Sequence, residues 1–583
     1  MTKSATFRSV GPRRPRQAAA GWLAASAVIA LLAVAPLLAV LLVASGSSDG
    51  LWPHLLAYVL PEAARQTVIL LLGVGILVTV IGTGLAWLVV AYDFPGRRFM
   101  EWALLLPLAM PTYIVAFAYL DLLHPIGPVQ SLLRAVLGLS SPRDLNFPDI
   151  RSMPGCILLL SFVLYPYVYG TARAAFLLQA RGVIEAAHSL GAGRFATFVR
   201  IAAPLARPAV AAGVSLALLE ALNDIGASEF LGVRTLTVSI YATWVNRSSL
   251  AGAAQIALFM LAFVIILMFL ERGLRRNRRY ADAEPGRLVP KRLHGMAGVL
   301  AATICALPII IGFAAPALHL VNEARKRLQF AGLSPSLVEA IGNTASLAAV
   351  ATLVTLLLGL CIAATLRLVG GRLAAALART ASLGYAVPGT VLAIGLMMPL
   401  ATVDNAVDSF MRATFGFSTG LLLSGTGGAL VYAYVVRFLP LAAGGLEAGY
   451  AKLPKTLDDA ALTLGASSGG LVARIHLPLL WPALLSAAAL VFVDCVKELS
   501  ATLLLRPLDF ETLATQLYAE ASRGTYEDGA IAALLIVAVG FLPVMLLARL
   551  GREGWRRERE ATAAVIPEMP DSSGFPAARE GVL

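Results

Sequence analysis

Charge is what this sequence is short of. Only 14% of its 583 residues are Asp, Glu, Lys or Arg, while 58% are hydrophobic; soluble domains carry about a quarter charged residues. A soluble chain would have nowhere to put that much apolar surface, so most of it must face lipid. Lysine is scarcer still. The six lysines (Lys3, Lys291, Lys326, Lys452, Lys455 and Lys497) never follow a glycine. A glycine-rich phosphate loop ending in G-K-[ST] is thereby excluded, and a nucleotide that drives this protein must be bound by another chain. The four cysteines (Cys156, Cys305, Cys361 and Cys495) are scattered without paired spacing, which excludes a disulfide framework and a zinc site. The six histidines form no cluster, and His188 and His476 fall in loops at non-equivalent places and read as solvated. With no paired His/Asp metal motif and no Ser/His arrangement, a membrane-embedded enzyme is the weakest reading. Neither a cofactor nor a permanent metal site is expected.

What is present is a series of about twelve apolar runs, each near the roughly 20 residues that cross a bilayer. They cover 21–44, 66–91, 100–121, 155–177, 206–225 and 252–271, then 295–319, 341–367, 373–400, 418–439, 481–501 and 529–549. The expected fold is an all-α polytopic membrane protein. The first run follows Lys3, Arg8, Arg13, Arg14 and Arg16 but is longer than the apolar core of a cleavable signal, so it counts as a helix. The net charge of +12 lies in arginine clusters between runs, which is a positive-inside bias and not a nucleic-acid footprint. Arg97 and Arg98, Arg181 to Arg200, Arg272 to Arg292 and Arg549 to Arg557 all fall on the cytoplasmic side if both termini do. Arg325, Lys326 and Arg327 are the exception.

A basic, proline-containing stretch, "RRNRRYADAEPGRLVPKR" (Arg275–Arg292), separates two similar halves. Gln66-Thr67 corresponds to Asn343-Thr344 and Pro111 to Pro388, both 277 residues on, and Pro166 to Pro440, 274 on. Halves with an even number of spans share one orientation, so these are parallel repeats. The expected layout is a tail (1–20), a first repeat (21–271) and a linker (272–294), then a second repeat (295–549) and a tail (550–583).

Each half carries one odd loop, within 182–208 and 456–482. "EAAHSLGAGRFATFVRIAAPLARP" begins at Glu185, and "DAALTLGASSGGLVARIHLPLLWP" begins at Asp459. In both, the acid-to-glycine step is six (Gly191, Gly465) and the glycine-to-proline step is thirteen (Pro204, Pro478). Alanines after the acid favour a short helix with the acid in its first turn. The glycine suits a helix C′ position with positive φ, and the proline suits the start of the next helix. One such copy reads as an ordinary helical loop; two at identical spacing argue for a shared task.

This pattern resembles the "EAA" loop of permease subunits of ATP-binding-cassette importers: E-A-A, three residues, G, nine residues, I-x-L-P. The first copy keeps Glu185, Ala186, Ala187, Gly191, Ile201 and Pro204, with Ala203 where the pattern has leucine; the second has Asp459 for glutamate and keeps Ala460, Ala461, Gly465, Ile475, Leu477 and Pro478. The resemblance covers nearly the whole membrane part and implies that these loops dock a separate ATPase subunit, a homodimer in such a system. It also implies a periplasmic or lipid-anchored binding protein as partner, the bacterial inner membrane as location, and no nucleic acid.

A second repeated feature concerns cargo. Glu220 and Asp224 lie four apart after the first loop, and Asp494 and Glu498 four apart after the second, which on a helix puts each pair on one face. Counted from Pro208, they sit in the outer part of the membrane. Acids there usually face protein or water. Two readings stay open: satisfaction by water, caps or Lys497, or a carboxylate ring that attracts a hard cation. The stretches "MPTYIVAFAYLDLL" (Met110–Leu123), "LNDIGASEFLGV" and "TLTVSIYATW" are similar to those of fused, two-repeat ferric-iron permeases. Relatives of that family carry thiamine or aminoethylphosphonate, which remain alternatives. The tyrosines of "YPYVYG" (Tyr165, Tyr167, Tyr169) read as helix packing. "DFPGRR" (Asp93–Arg98) weakly matches a loop of six-plus-six secondary transporters but lacks a counterpart in the second half.

Overall fold

The computed structural model describes residues 16–48, 50–178, 187, 189–275 and 290–565, with side chains for 19–48, 50–178, 187, 189–273 and 290–545. Ten of its helices are long and apolar enough to cross a membrane, or up to twelve if two bent helix pairs each count as one span. Hydrocarbon offers no water to backbone N–H and C=O groups, so spans that hydrogen-bond within themselves are the solution such a sequence has. The expected all-α architecture is what forms. Among the described residues the only strand pairing is a two-residue parallel bridge, Tyr92–Asp93 with Lys291–Arg292. It ties "DFPGRR" to the end of the linker, where Leu293 N–H also donates to Asp93 O at 2.8 Å. That motif is a structural turn.

Before the linker the crossings are Arg16–Ala44, Leu51–Ala91, the bent pair Arg97–Ala109 and Thr112–Leu122, Met153–Leu177, Arg194–Asn223 and Leu250–Arg275. After it come Met296–Phe330, Pro335–Leu368, Gly389–Phe415, Gly428–Ala451, the bent pair Ser468–Leu479 and Trp481–Val496, and Tyr526–Val565. Their starts follow local chemistry. Ser152 and Ser334 cap Met153–Leu177 and Pro335–Leu368 by accepting from Gly155 and Leu337 N–H, each with a proline in the first turn.

Several expected boundaries move. The runs at 100–121 and 373–400 are not single helices. Each breaks before a proline, Pro111 or Pro388, because the residue ahead of it (Met110, Val387) is pushed into extended backbone. The first break bends the path by 90°. The run at 418–439 is displaced, since its helix spans Gly428–Ala451. Residues before it form a loop held by two carboxylates: Asp408 accepts from Thr419 and Gly420 N–H, and Asp404 from Leu423 and Ser424 N–H. Pro204 and Pro478 stand in the first turn of the α-helical segments Ala203–Asn223 and Leu477–Leu479, as expected, but these segments are not fresh starts. Each follows a π-helical turn, Phe198–Ala202 and Val472–His476, in a helix already under way. The wider turn makes room for a ring that lacks an N–H and would crowd the preceding carbonyl.

The two halves repeat down to single hydrogen bonds. Thr67 Oγ1 accepts from Leu236 N–H at 3.0 Å, and Thr344 Oγ1 from Leu513 N–H at 2.8 Å. Gln66 bonds the backbone of Arg234, and Asn343 that of Glu511. In each half, therefore, the Gln/Asn-Thr pair pins the segment that follows a short re-entrant helix, Gly226–Phe230 or Ser500–Leu505.

The first helix of each half packs on the last helix of its own half, where Gln255 Nε2 donates to Ala44 O at 3.1 Å, and also reaches across to the other half. Arg16–Ala44 packs on the second half, where Ser26 Oγ donates to Thr365 Oγ1 at 2.7 Å and Tyr432 OH to Leu32 O at 2.8 Å. Met296–Phe330 packs on the first half, where Tyr119 OH donates to Ile311 O at 2.8 Å. A glycine permits each close approach: a Cβ on Gly395 would lie 2.2 Å from Pro36 O, and one on Gly312 2.3 Å from Phe162 O. Arg327, one of the exceptions to the arginine bias, pairs with Asp528 at 2.6 Å, and Lys326 with Glu323 at 2.7 Å.

Candidate functional site

The odd loops have one geometry. Gly191 and Gly465 adopt φ of +81° and +84°. Around each, an N–H reaches back five residues: Ala192 to Ala187 O at 2.9 Å and Ala466 to Ala461 O at 3.0 Å. This is the closure that a left-handed C′ glycine makes at a helix end. Ala187 and Ala461 are both buried, whereas Asp459 and Ala460 are exposed. Glu185 and Ala186 lie outside the described residues, as does His188. The acid in the first turn of the Lys455–Thr463 helix is Asp458, not Asp459. Before each glycine stands a leucine, Leu190 or Leu464, that is 88% exposed.

The loops are fastened differently. Asp458 is buried and accepts from Arg367 Nε at 2.7 Å, and its other oxygen lies 3.0 Å from His476 Nε2. Tyr450 OH meets His476 Nδ1 at 3.2 Å, and Arg367 also donates to Pro454 O. His476 is therefore not solvated: it is 1% exposed and anchors the loop. Its counterpart 274 residues back is Ala202, and Tyr450 matches Phe176. There Trp87, Phe176 and Phe198 stack instead, with centroids 5.3 and 5.4 Å apart about Trp87.

Burial opposes the charge on Asp458, but the hydrogen bonds and charges of Arg367 and His476 win and hold its carboxyl below the ordinary carboxylate range. A depressed value means that this contribution is complete above the unfolded value of about 3.9 and is lost as pH falls below it. Amide hydrogen exchange in 455–463 should lose protection in acid below about pH 4. Asp458→Asn should lower protection at neutral pH and erase that acid step. A step that persists in the variant would assign it to another group.

Where the halves meet, a cavity of about 130 Å³ is lined from the first half by Met110, Thr112, Tyr167, Glu220, Asn223 and Asp224. From the second half come Tyr385, Arg437, Asp494, Lys497 and Glu498. The four acids expected on a pathway thus do converge, but not by helical spacing. The helices end at Asn223 and Val496, so Asp224 and Glu498 lie beyond them and neither pair shares one helix face. Both of these residues cap the re-entrant helices. Asp224 accepts from Ser228 N–H at 2.8 Å and Ser228 Oγ at 3.0 Å; Glu498 accepts from Thr502 N–H at 3.2 Å and Thr502 Oγ1 at 2.9 Å.

Their remaining partners differ by half. Thr112 Oγ1 donates to Asp224 at 2.6 Å, while Arg437 Nη1 lies 3.1 Å from Glu498. Gly389 stands where the first half has Thr112, and a Cβ there would meet Arg437 Nη1 at 2.3 Å. The glycine makes room for the arginine. Asp494 pairs with Lys497 at 2.7 Å. Glu220 makes no ion pair among the described residues but shares a hydrogen bond with Tyr385, and its neighbour Asn223 has a buried Oδ1 without a hydrogen-bond donor. Those two groups offer oxygen lone pairs to whatever enters. Of the three tyrosines, Tyr165 and Tyr169 are buried in packing, with Tyr169 OH on Glu101 O at 2.9 Å, whereas Tyr167 lines the cavity. Arg437 gave no signal in the sequence, being a single arginine in an apolar run with Val163 as its counterpart.

The profile of the binding-protein-dependent transport system inner membrane component family matches twice, over residues 78–280 and 355–556. The chain is similar to the Fe(3+)-transport system permease protein FbpB 2 of Haemophilus influenzae, 25% identical over 83% of this chain and 89% of that one. It is also similar to the ferric transport system permease protein FbpB of Actinobacillus pleuropneumoniae, 25% identical over 72% of this chain and 61% of that one. The molybdenum transport system permease protein ModB of Escherichia coli is 27% identical over 34% of this chain and 86% of its own length.

Proposed function

The chain belongs to the family of inner membrane components of binding-protein-dependent transport systems, and on that premise we propose that it imports ferric iron. It is a multi-pass permease subunit, and the family it belongs to is not one of enzymes. In our reading, residues 21–271 and 295–549 are its two repeats, joined by 272–294 and flanked by cytoplasmic tails 1–20 and 550–583. A separate ATPase dimer docks beneath both repeats on the loops around Gly191 and Gly465, and a binding protein delivers cargo to the opposite face. ATP-driven closure of the ATPase then swings the halves between inward- and outward-open arrangements.

The observation that carries the cargo is the charge of the central cavity. Four carboxylates line it against two cationic side chains, Arg437 and Lys497. Such a surface favours a cation and opposes an oxyanion of the sulfate or molybdate kind. A triply charged ion has a desolvation cost far above that of a single buried charge, and fixed oxygen ligands lower it. Glu220 and the unpartnered Asn223 Oδ1 supply those oxygens. Asp224, Asp494 and Glu498, already paired or capping, shape the field around them.

The test is radiolabelled Fe(III) uptake into vesicles holding this chain, its ATPase and its binding protein, with thiamine, aminoethylphosphonate and molybdate as competitors. Iron should be taken up and molybdate should not compete. Glu220→Gln keeps shape and removes one of the four carboxylate charges that favour a cation, so uptake should fall at least about tenfold, about 1.4 kcal/mol, while basal ATP hydrolysis persists. Unchanged iron uptake in that variant would remove Glu220 from the path. Uptake of thiamine or the aminophosphonate alone would keep the permease and change its cargo.

A further inference from the structure

A second group of ligating side chains lies apart from the central cavity and was invisible to sequence spacing between halves. Asp121, near the end of the Thr112–Leu122 helix, meets His319 and Glu323 of the Met296–Phe330 helix, and one ligand atom from each lies within 4.8 Å of the others. His319 Nε2 is 2.8 Å from Asp121 Oδ2. His319 and Glu323 are four apart on one helix, the spacing that puts two ligands on one face. Both are buried, at 8% and 5% exposure. The group forms part of the wall of a cleft of about 990 Å³, where five carboxylates (Asp121, Asp149, Glu323, Glu527, Asp528) face two cations, Arg151 and Lys326. By the chain path this is the outer side, since Arg97–Ala109 enters from the arginine-rich face and Asp528 opens the last descending helix.

We propose that Asp121, His319 and Glu323 bind a first-row transition-metal ion that bridges the two halves at the outer face. One imidazole nitrogen with two carboxylates suits iron, manganese, cobalt or zinc, and the nitrogen disfavours magnesium and calcium. Ligand atoms about 2.0–2.2 Å from a metal stand roughly 3–3.5 Å apart, so the His319–Asp121 bond opens by a few tenths of an ångström and the shared proton leaves. Lys326 Nζ, 2.7 Å from Glu323 on a side chain 53% exposed, occupies the charge position a metal would take and can swing into the cleft. The open side of the cleft leaves room for water to complete the shell.

Chelator-stripped full-length protein in nanodiscs is titrated with Co(II) and followed by its visible absorption and by calorimetry. One equivalent should bind. Asp121→Asn and His319→Gln should each weaken binding at least about tenfold, and Lys326→Met, which removes the competing ammonium, should tighten it. Glu220→Gln should leave this binding intact, which separates it from cargo in the central cavity. Thermal unfolding of the stripped variants checks that they fold; if either collapses, Glu323→Gln and the Lys326→Met gain decide. Absence of stoichiometric Co(II) overturns the proposal. So does binding that survives both Asp121→Asn and His319→Gln, or that is lost in Glu220→Gln instead.

Discussion

Replacing Gly191 and Gly465 together by proline is expected to stop ATP-driven uptake while leaving the protein in the membrane. Both residues sit at φ above +80°, and proline is fixed near −65°. Gly465 N–H also donates to Leu462 O at 3.1 Å, a bond proline cannot make. Each replacement therefore opposes the loop by about 3 kcal/mol or more, about a hundredfold in the population of the docking geometry. No apolar span is touched, so insertion is unaffected. Alanine at the same two positions costs about 1–2 kcal/mol each for the left-handed backbone and should give an intermediate loss. The measurements are uptake in vesicles and co-purification of the ATPase. Wild-type values for both in the double-proline protein would end the docking assignment.

Removing Arg437 is expected to be as damaging, but to the fold. Arg437→Met leaves Glu498, 5% exposed, with backbone and hydroxyl donors and no counter-charge. Stripping one partner from a buried pair costs about 3–5 kcal/mol, a large share of the stability of any domain. Yield of folded protein and melting temperature should both drop. Adding Glu498→Gln removes the stranded charge and keeps an acceptor for the Ser500–Leu505 cap, so the double variant should recover much of the loss. A double variant no better than the single would show that the pair does not act as a unit. The same reasoning means that neutralising all four cavity acids at once is a poor test of cargo. It would strand Arg437 and Lys497 and weaken two helix caps.

The crossings were legible because the bilayer sets both the length and the composition of what can span it, and the repeat because its offsets survive wherever the chain is confined. The offset changes from 277 to 274 between Pro111 and Pro166 and returns to 277 between Asp224 and Arg234. Both changes fall where the chain leaves its long helices for loops and short helices, and there length is free to vary. What was not legible was set by tertiary neighbours. Helical periodicity joined Glu220 to Asp224, but the chain leaves the helix at Asn223 so that the carboxylate can cap the next one. His476 looked solvated because its partners, Asp458 and Tyr450, are recognisable only once three helices meet. Asp121 and His319 are 198 residues apart, and only the short His319–Glu323 step could have been noticed.

The reach of the first helices across to the other half turns the order of synthesis into a waiting problem. Ser26 leaves the ribosome 339 residues before its partner Thr365, and Leu32 400 residues before Tyr432. At about 5–20 residues per second, the first helix waits roughly 20–80 seconds for its second-half partners, with Leu250–Arg275 of its own half arriving earlier. Its Pro36 carbonyl has to stay clear of other surfaces until Gly395 arrives. Insertion factors that hold early segments, or the growing first half itself, must occupy that surface meanwhile. A ribosome that stalls after the first half would leave this helix held by Leu250–Arg275 alone, with the face that meets Gly395, Thr365 and Tyr432 uncovered.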